Sequence, residues 1–155
     1  HDKPSINGSD CISFLFSSNP GEPLSPLNEV ASGGEMSRFL LAFKTILSGV
    51  NQSRTLFFDE IDSGVSGRVS SAIAKLLQQL SLQHQVFCIT HQPLVAACAD
   101  HHLRVVKNFQ EGLTSSTVVP LLTINDRKKE LAELAGGNSV EASAYAASLL
   151  DQHAA

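Results

Sequence analysis

Two short apolar runs on either side of an amphipathic segment constrain the fold of this chain more than any other feature. Residues 55–59 form the first run, which ends in Asp59, and residues 85–90 form the second, which ends in Thr90. Between them, apolar residues recur at helical spacing from Val69 to Leu80. A strand, a helix and a second strand make the crossover unit of α/β domains. We therefore predict an α/β fold with a mostly parallel sheet flanked by helices, in which the first strand is buried on both faces.

The remaining pattern adds helices and short strands around this unit. The predicted elements are a strand over residues 11–16, a helix from Ser32 with apolar positions as far as Val50, a short helix over 93–98, strands near 103–106 and 117–122, and helices near 127–134 and 140–150. The Pro- and Gly-rich segment 18–26 is predicted to lack regular structure. With 155 residues and 43% hydrophobic content, residues 1–155 are expected to form a single domain.

The charge balance limits how this chain could contact nucleic acid. Its 11 basic and 15 acidic residues give a formal net charge of −4, which excludes a strongly basic body that binds through phosphates alone. Contact with DNA would need a local group such as Arg38, Lys44 or the run 127–129, or another part of a larger protein. Charged residues keep every apolar stretch below the ~20 residues that span a bilayer, so we expect a soluble protein with no membrane partner.

The cysteines predict a cellular compartment, and the first residues indicate how the chain relates to a longer protein. Cys11, Cys88 and Cys98 form no Cys-x-x-Cys pair, and the last two have apolar neighbours, so free thiols in a reducing, cytosolic compartment are expected. The first residues show neither an initiator methionine nor the layout of a secretory signal. We interpret the chain as an internal or C-terminal piece of a longer protein.

A glycine-containing helix start is the first candidate site. Ser32, Gly33, Gly34 and Glu35 stand where the first long helix is predicted to begin. Free backbone N–H groups and the helix dipole favour an anion there, and glycines let a phosphate approach the main chain closely. The same residues also match a capping box, in which Ser32 and Glu35 only cap the helix. The motif by itself leaves both interpretations open.

Two adjacent acids after the first buried strand form the second candidate site. Asp59 could hold Mg²⁺ through oxygen with waters retained, and Glu60 could orient or deprotonate a water molecule. Ligands of α/β domains bind at this carboxyl edge of the sheet. His91 follows the next strand and could hydrogen-bond a γ-phosphate or the attacking water. The alternatives are solvated turn acids and a structural histidine.

The order and spacing of these motifs resemble the C-terminal half of an ABC-type ATPase head. Within that superfamily the chain resembles the RecN family, a relative of the SMC proteins. The segments that carry the resemblance are residues 14–24, 31–38, 42–44, 58–67, 89–93, 96–105 and 131–137. The resemblance implies that Ser32, Gly33, Gly34 and Glu35 are the signature motif, that the Walker B strand ends at Glu60, that Asp62, Ser63 and Gly64 belong to the D-loop and that His91 is the switch histidine. Ser66 stands where many heads carry a D-loop aspartate.

The resemblance also implies an activity that this chain would share with other parts of its protein. No Gly-x-x-x-x-Gly-Lys-Ser/Thr stretch occurs in the 155 residues, so the chain is expected to lack the P-loop lobe and to be inactive alone. The complete head would bind ATP and Mg²⁺ and hydrolyse ATP, with Glu60 and His91 as catalytic residues and Asp59 on the metal through water. The signature motif would act in trans, on ATP held by a second head.

The biological setting also comes from the resemblance alone. It implies recombinational repair of DNA double-strand breaks in the SOS response, at a cytoplasmic, nucleoid-associated site in bacteria. The implied partners are the N-terminal Walker A lobe of the same protein, a second head, DNA through the full-length protein, and a recombinase. Two alternatives stay open: an interaction module without ATPase function, and the head of another SMC or ABC ATPase.

Overall fold

A computed structural model describes residues 6, 8–10, 12–17, 20–47, 54–65, 67–110, 113–137 and 139–153. Cys11, Val50 and Ser66 lie outside these residues. The strands are β1 (Leu15–Phe16), β2 (Ser25–Pro26), β3 (Thr55–Phe58), β4 (Gln85–Cys88), β5 (Leu103–Gln110) and β6 (Leu113–Pro120). The helices are α1 (Leu27–Val30), α2 (Gly33–Leu47), α3 (Arg68–Ser81), α4 (Pro93–Ala97), α5 (Ile124–Leu134) and α6 (Val140–His153).

The strand–helix–strand unit is confirmed. β3 and β4 pair in parallel with Thr55 opposite Gln85 and Phe58 opposite Cys88, and α3 lies between them in the sequence. The Ile89 N–H donates to the Phe58 carbonyl at 2.9 Å and continues the pairing beyond β4. Both strands therefore end at the same edge, and the residues that follow them lie side by side.

The faces of this parallel pair differ from the prediction. Phe58 is 4% exposed, but its neighbour Phe57 is 72% exposed and stacks on Phe87 with ring centroids 4.8 Å apart. Successive side chains of a strand point to opposite faces, and the described helices cover one of them. The prediction that the first strand is buried on both faces is therefore wrong for the described part of the chain.

The α/β class is confirmed, with a more mixed pairing than a mostly parallel sheet. Among the described residues, β3–β4 is parallel, whereas β1–β2 and β5–β6 are antiparallel. Residues 111–112 alone connect β5 to β6, and so short a connection allows antiparallel pairing only. The Pro-rich segment 18–26 ends in β2, contrary to the prediction that it has no regular structure.

Buried apolar residues form two clusters. The sheet cluster lies between the parallel pair, α2, α3 and α4 and contains Leu41, Phe58, Ile61, Ile73, Leu77, Leu80 and Val95. The helix cluster lies between α4, α5 and α6 and contains Ala96, Ala97, Leu131, Ala132, Ala142, Ala146 and Leu149. The short helix α4 contributes to both, so it joins the sheet to the C-terminal helices.

The β5–β6 ribbon is longer than predicted and largely exposed. Its eight residue pairs run from Leu103 opposite Pro120 to Gln110 opposite Leu113. An ion pair of 3.0 Å between Arg104 and Glu130 joins the ribbon to α5. In the described ranges, no helix combines the length and apolar character needed to cross a membrane.

Candidate functional site

The carboxyl edge of the parallel pair forms an open cleft of about 250 Å³. It is lined by Asp59, Glu60, Asp62, Ser63, Ile89, Thr90 and His91. The first four follow β3 and the last three follow β4, so the parallel register brings them together. The structure thus places both acids of the predicted pair and the predicted histidine in one cleft.

The loop after β3 has an unusual backbone conformation at Glu60. Its φ of 54° lies in the left-handed region, which costs a residue with a side chain roughly 1–2 kcal/mol. The Ser63 N–H donates to the Glu60 carbonyl at 3.0 Å and closes a tight turn. Asp59 and Glu60 are exposed, whereas Ile61 and Asp62 are buried. The turn thus leaves the acid pair accessible while the next two residues anchor the loop.

Asp62 connects the two loops of the cleft. Its side chain is 1% exposed, and its Oδ2 accepts hydrogen bonds from the Thr90 hydroxyl and from the N–H groups of His91 and Gln92, each of the latter at 3.2 Å. The His91 Nδ1 lies 3.6 Å from the same oxygen, and the His91 side chain is 69% exposed. Asp62 is therefore part of the loop framework, while the His91 ring remains accessible at the cleft.

The capping box at the start of α2 is confirmed. The Ser32 N–H donates to Glu35 Oε2 at 2.9 Å, and the Glu35 N–H donates to Ser32 Oγ at 3.3 Å. The hydrogen bond from the Ser32 backbone lowers the pKa of the Glu35 carboxyl, and that from the Ser32 side chain adds to the effect. Because folding lowers this pKa, the capping interaction stabilises the folded chain at pH values above the ordinary pKa of a glutamate. That contribution is lost as the pH falls through the lowered pKa of the folded state.

The start of α2 lies against the loop that follows β3, residues 59–65, which we call the acidic loop. A Cβ placed on Gly34 would lie 3.1 Å from the Glu60 carbonyl oxygen, and one on Gly33 would lie 3.8 Å from Glu60 Oε2. The Ser37 hydroxyl donates to the Asp59 carbonyl at 3.2 Å. The predicted phosphate site, Ser32 to Glu35, therefore stands at the start of a helix that contacts the loop carrying Glu60.

Arg38, which was predicted as a local DNA contact, binds within the candidate site. Its Nη1 donates to the Ile61 carbonyl at 3.3 Å and to the Ser63 carbonyl at 3.0 Å, so it holds the acidic loop. Arg127 likewise donates to the Ala97 and Ala99 carbonyls, at 3.2 and 2.7 Å. Two of the proposed local DNA contacts thus have backbone partners within the chain.

The donor set of the cleft fits Mg²⁺ as a partial site. Mg²⁺ is usually held by one or two carboxylates together with waters and substrate phosphates. Asp59 offers an exposed carboxylate at the edge of the cleft. In the part of the chain that the structure describes, no cluster of three or more His, Cys, Asp or Glu side chains could hold a metal ion. Asp59 thus offers one ligand, and the other ligands of a metal site would have to come from outside the described residues.

Cys88 and Cys98 are free, half-buried thiols, as predicted. Burial raises the pKa of the Cys88 thiol to about 12 and that of the Cys98 thiol to about 11. Both therefore remain protonated near neutral pH, and a thiol in that state is a poor nucleophile. We therefore expect neither cysteine to act as a nucleophile at the cleft.

Comparisons with known proteins relate the chain to DNA repair proteins. No protein-family model matches the sequence. The chain is 49% identical to the DNA repair protein RecN of Synechocystis sp. over 98% of its own length and 29% of that protein. Identity to the RecN proteins of Bacillus subtilis and Xylella fastidiosa is 47% and 40%, over 82% and 95% of this chain and 21% and 26% of theirs. The chain thus spans between a fifth and a third of the length of these relatives.

A solved structure from a study of ATP-driven dimerisation and DNA-stimulated activation of SMC ATPases matches the fold. The two chains superpose with a TM-score of 0.51 and are 25% identical, and the match covers 81% of each. The match thus extends over the greater part of both chains.

Proposed function

Because the chain belongs to the RecN family of DNA repair proteins, we propose that it is the lobe of an SMC-like ATPase head that supplies the catalytic acid, the switch histidine and the signature motif. The observation that carries the proposal is the single cleft in which Asp59, Glu60 and His91 meet at the carboxyl edge of the parallel pair. Catalysis of phosphoryl transfer depends on positioning and charge stabilisation, and this cleft places an acid and a histidine on adjacent loops.

Each residue of the cleft has a role that follows from its position. Asp59 would hold Mg²⁺ through water, and the bound ion would supply charge that stabilises the phosphates of ATP. Glu60 is exposed in the cleft, where its carboxylate orients the attacking water and accepts a proton from it. His91 donates a hydrogen bond from its exposed ring to the γ-phosphate.

The start of α2 acts on ATP bound by a second head. Ser32, Gly33 and Gly34 offer a hydroxyl and backbone N–H groups at a helix N-terminus, which suits a γ-phosphate. Support for a pair of heads comes from the structural relative, which was solved in a study of ATP-driven dimerisation of SMC ATPases. Of the D-loop residues Asp62, Ser63 and Gly64, the last two are exposed beside the acid pair. In this proposal they would face the second head.

The exposed face of the parallel pair receives the Walker A lobe. Phe57, Phe87 and Ile89 are 72%, 37% and 64% exposed, and together they form an apolar surface next to the cleft. Exposed apolar patches of this kind commonly mark an interface. A lobe seated there would lie next to the cleft that contains Asp59 and Glu60, because Ile89 belongs to both the apolar surface and the cleft. In this proposal the complete head acts in bacterial double-strand break repair, with DNA and a recombinase contacting the full-length protein.

A chimera that supplies the missing lobe tests the proposal. This chain replaces the matching segment of Synechocystis RecN, and Mg²⁺-dependent ATP hydrolysis is measured for the unmutated chimera and for Glu60→Gln. We expect the unmutated chimera to hydrolyse ATP and Glu60→Gln to lose at least ~100-fold in kcat while it still binds ATP. Asp151→Asn, an exposed acid on α6, is the control and should keep the unmutated rate. Hydrolysis by Glu60→Gln at the unmutated rate would falsify the assignment of Glu60.

An interaction module without ATPase function is the second candidate. The capping box favours it, because Glu35 already satisfies the Ser32 N–H and places a negative charge where a phosphate would bind. The chimera distinguishes the two. A folded chimera that neither hydrolyses ATP nor forms ATP-dependent dimers supports the module, whereas ATP-dependent dimers that persist in Glu60→Gln support the head lobe.

A further inference from the structure

The acceptor role of Asp62 is concentrated on one oxygen. Oδ2 accepts from the Thr90 hydroxyl and from the N–H groups of His91 and Gln92. Oδ1 is buried, with no hydrogen-bond partner among the residues that the structure describes. A buried carboxylate is costly unless donors surround it, so its retention here depends on the donors that the loop after β4 supplies.

Further hydrogen bonds connect the same two loops. Gln92 Nε2 donates to the Val65 carbonyl at 3.2 Å, and the Gln92 N–H also lies 3.0 Å from Thr90 Oγ1. The side chains of Thr90 and Gln92 therefore both attach the loop after β4 to the loop after β3. The parallel pairing ends with the bond from the Ile89 N–H. Beyond that point the side-chain hydrogen bonds, rather than the sheet, hold residues 90–92 in position.

We propose that Asp62 is a positioning residue for His91. It fixes the His91 backbone through the N–H and faces ring Nδ1 at 3.6 Å, which leaves Nε2 as the ring nitrogen turned away from Asp62. The inference rests on the proposed function, in which the exposed His91 ring contacts the γ-phosphate. Asp62 thereby acts within its own chain, in addition to any D-loop contact between heads.

Hydrogen exchange tests the loop contacts in this chain without any nucleotide. In Asp62→Asn, we expect the backbone amides of His91 and Gln92 to exchange at least ~10-fold faster, because each loses a bond to a charged acceptor. Thr90→Val should accelerate the same amides, whereas Thr90→Ser retains the hydroxyl donor and should keep the unmutated rate. Asp151→Asn is the matched control. Unchanged exchange in both Asp62→Asn and Thr90→Val overturns the proposal, and the Thr90 pair keeps the test decisive if Asp62→Asn does not fold.

A double-mutant cycle in the chimera tests the action through His91. Asp62→Asn should lower kcat by about 100-fold with a much smaller change in the KM for ATP, because a small displacement of a catalytic group is costly. In a His91→Ala background the same substitution should have no further effect on kcat. A loss that persists there overturns the positioning role and leaves the ATPase function standing. If the unmutated chimera does not hydrolyse ATP, the proposed function fails, and hydrogen exchange still decides whether Asp62 holds the loop.

Discussion

The two apolar clusters of this chain contain different residue types and pack between different elements. The sheet cluster contains Leu, Ile, Phe and Val side chains and lies under the cleft, with Ile61 reaching into it directly from the acidic loop. The helix cluster is mainly alanine, with Leu131 and Leu149 as its large members. Bulky side chains fill the space between a sheet and helices, whereas alanines let three helices approach closely.

The difference shows that the cleft depends on one cluster much more directly than on the other. Ile61 is fully buried between Glu60 and Asp62, so packing of the sheet cluster sets the loop that carries the acids. The helix cluster reaches the cleft through α4, which begins directly after Gln92. Changes in the sheet cluster should therefore alter both stability and the site, and changes in the helix cluster mainly stability.

Removing a large side chain from each cluster should give the largest effects. Ile61→Ala and Leu131→Ala each remove a side chain that is 0% exposed, and each should lower the free energy of unfolding by about 2–5 kcal/mol. Denaturant unfolding of this chain measures the loss. We expect Ile61→Ala also to accelerate amide exchange at His91 and Gln92, whereas Leu131→Ala should leave it unchanged under native conditions.

Equal acceleration in the two variants would contradict the separation of the clusters. Ile61→Val serves as the milder control, because it removes one methylene group and should cost about 0.5–1.5 kcal/mol.

Enlarging an alanine tests the close approach of the helices. Ala146 is 0% exposed in the helix cluster, so Ala146→Leu should force α6 from its neighbours and lower the free energy of unfolding by about 1–3 kcal/mol. Ala144→Leu places the same side chain on an exposed position of α6 and should change stability by less than about 0.5 kcal/mol. Equal stability of the two variants in denaturant would show that the helix cluster has room to spare.

Two adjacent glycines give the smallest and most local test. A Cβ on Gly34 would lie 3.1 Å from the Glu60 carbonyl oxygen, whereas one on Gly33 would meet Glu60 Oε2 at 3.8 Å. We expect Gly34→Ala to lower the free energy of unfolding by about 1 kcal/mol and to shift the amide resonances of the acidic loop. Gly33→Ala should be neutral or slightly stabilising, since alanine favours the helix. The prediction is wrong if both substitutions have the same sign.

Local patterns were sufficient for most of the helices and for the motif at the start of α2. The spacing of apolar residues predicts α3 and α6 within a few residues, and the Ser32–Glu35 pattern predicts the capping box that is observed. These features depend on residues within a few turns of one another. The length of the β5–β6 ribbon was underestimated, because its outer residues are polar or exposed and give no apolar signal.

The sequence predicted which residues lie at the candidate site but not the hydrogen bonds that hold its loops together. Asp59, Glu60 and His91 follow apolar strands, and parallel pairing brings such residues to one edge. The roles of Asp62 and Arg38 could not be read from the sequence, because their partners lie on other loops some two dozen or more residues away in the chain.

Periodicity and local hydrogen bonding were enough to predict the strand–helix–strand unit, the capped helix, and the acids and histidine at the ends of two strands. Only the folded chain shows which face of the parallel pair is covered, which oxygen of Asp62 accepts hydrogen bonds from the loop after β4, and how closely Gly34 approaches Glu60. Burial and long-range hydrogen bonds depend on how separate elements pack, and that packing is a property of the whole chain rather than of any segment.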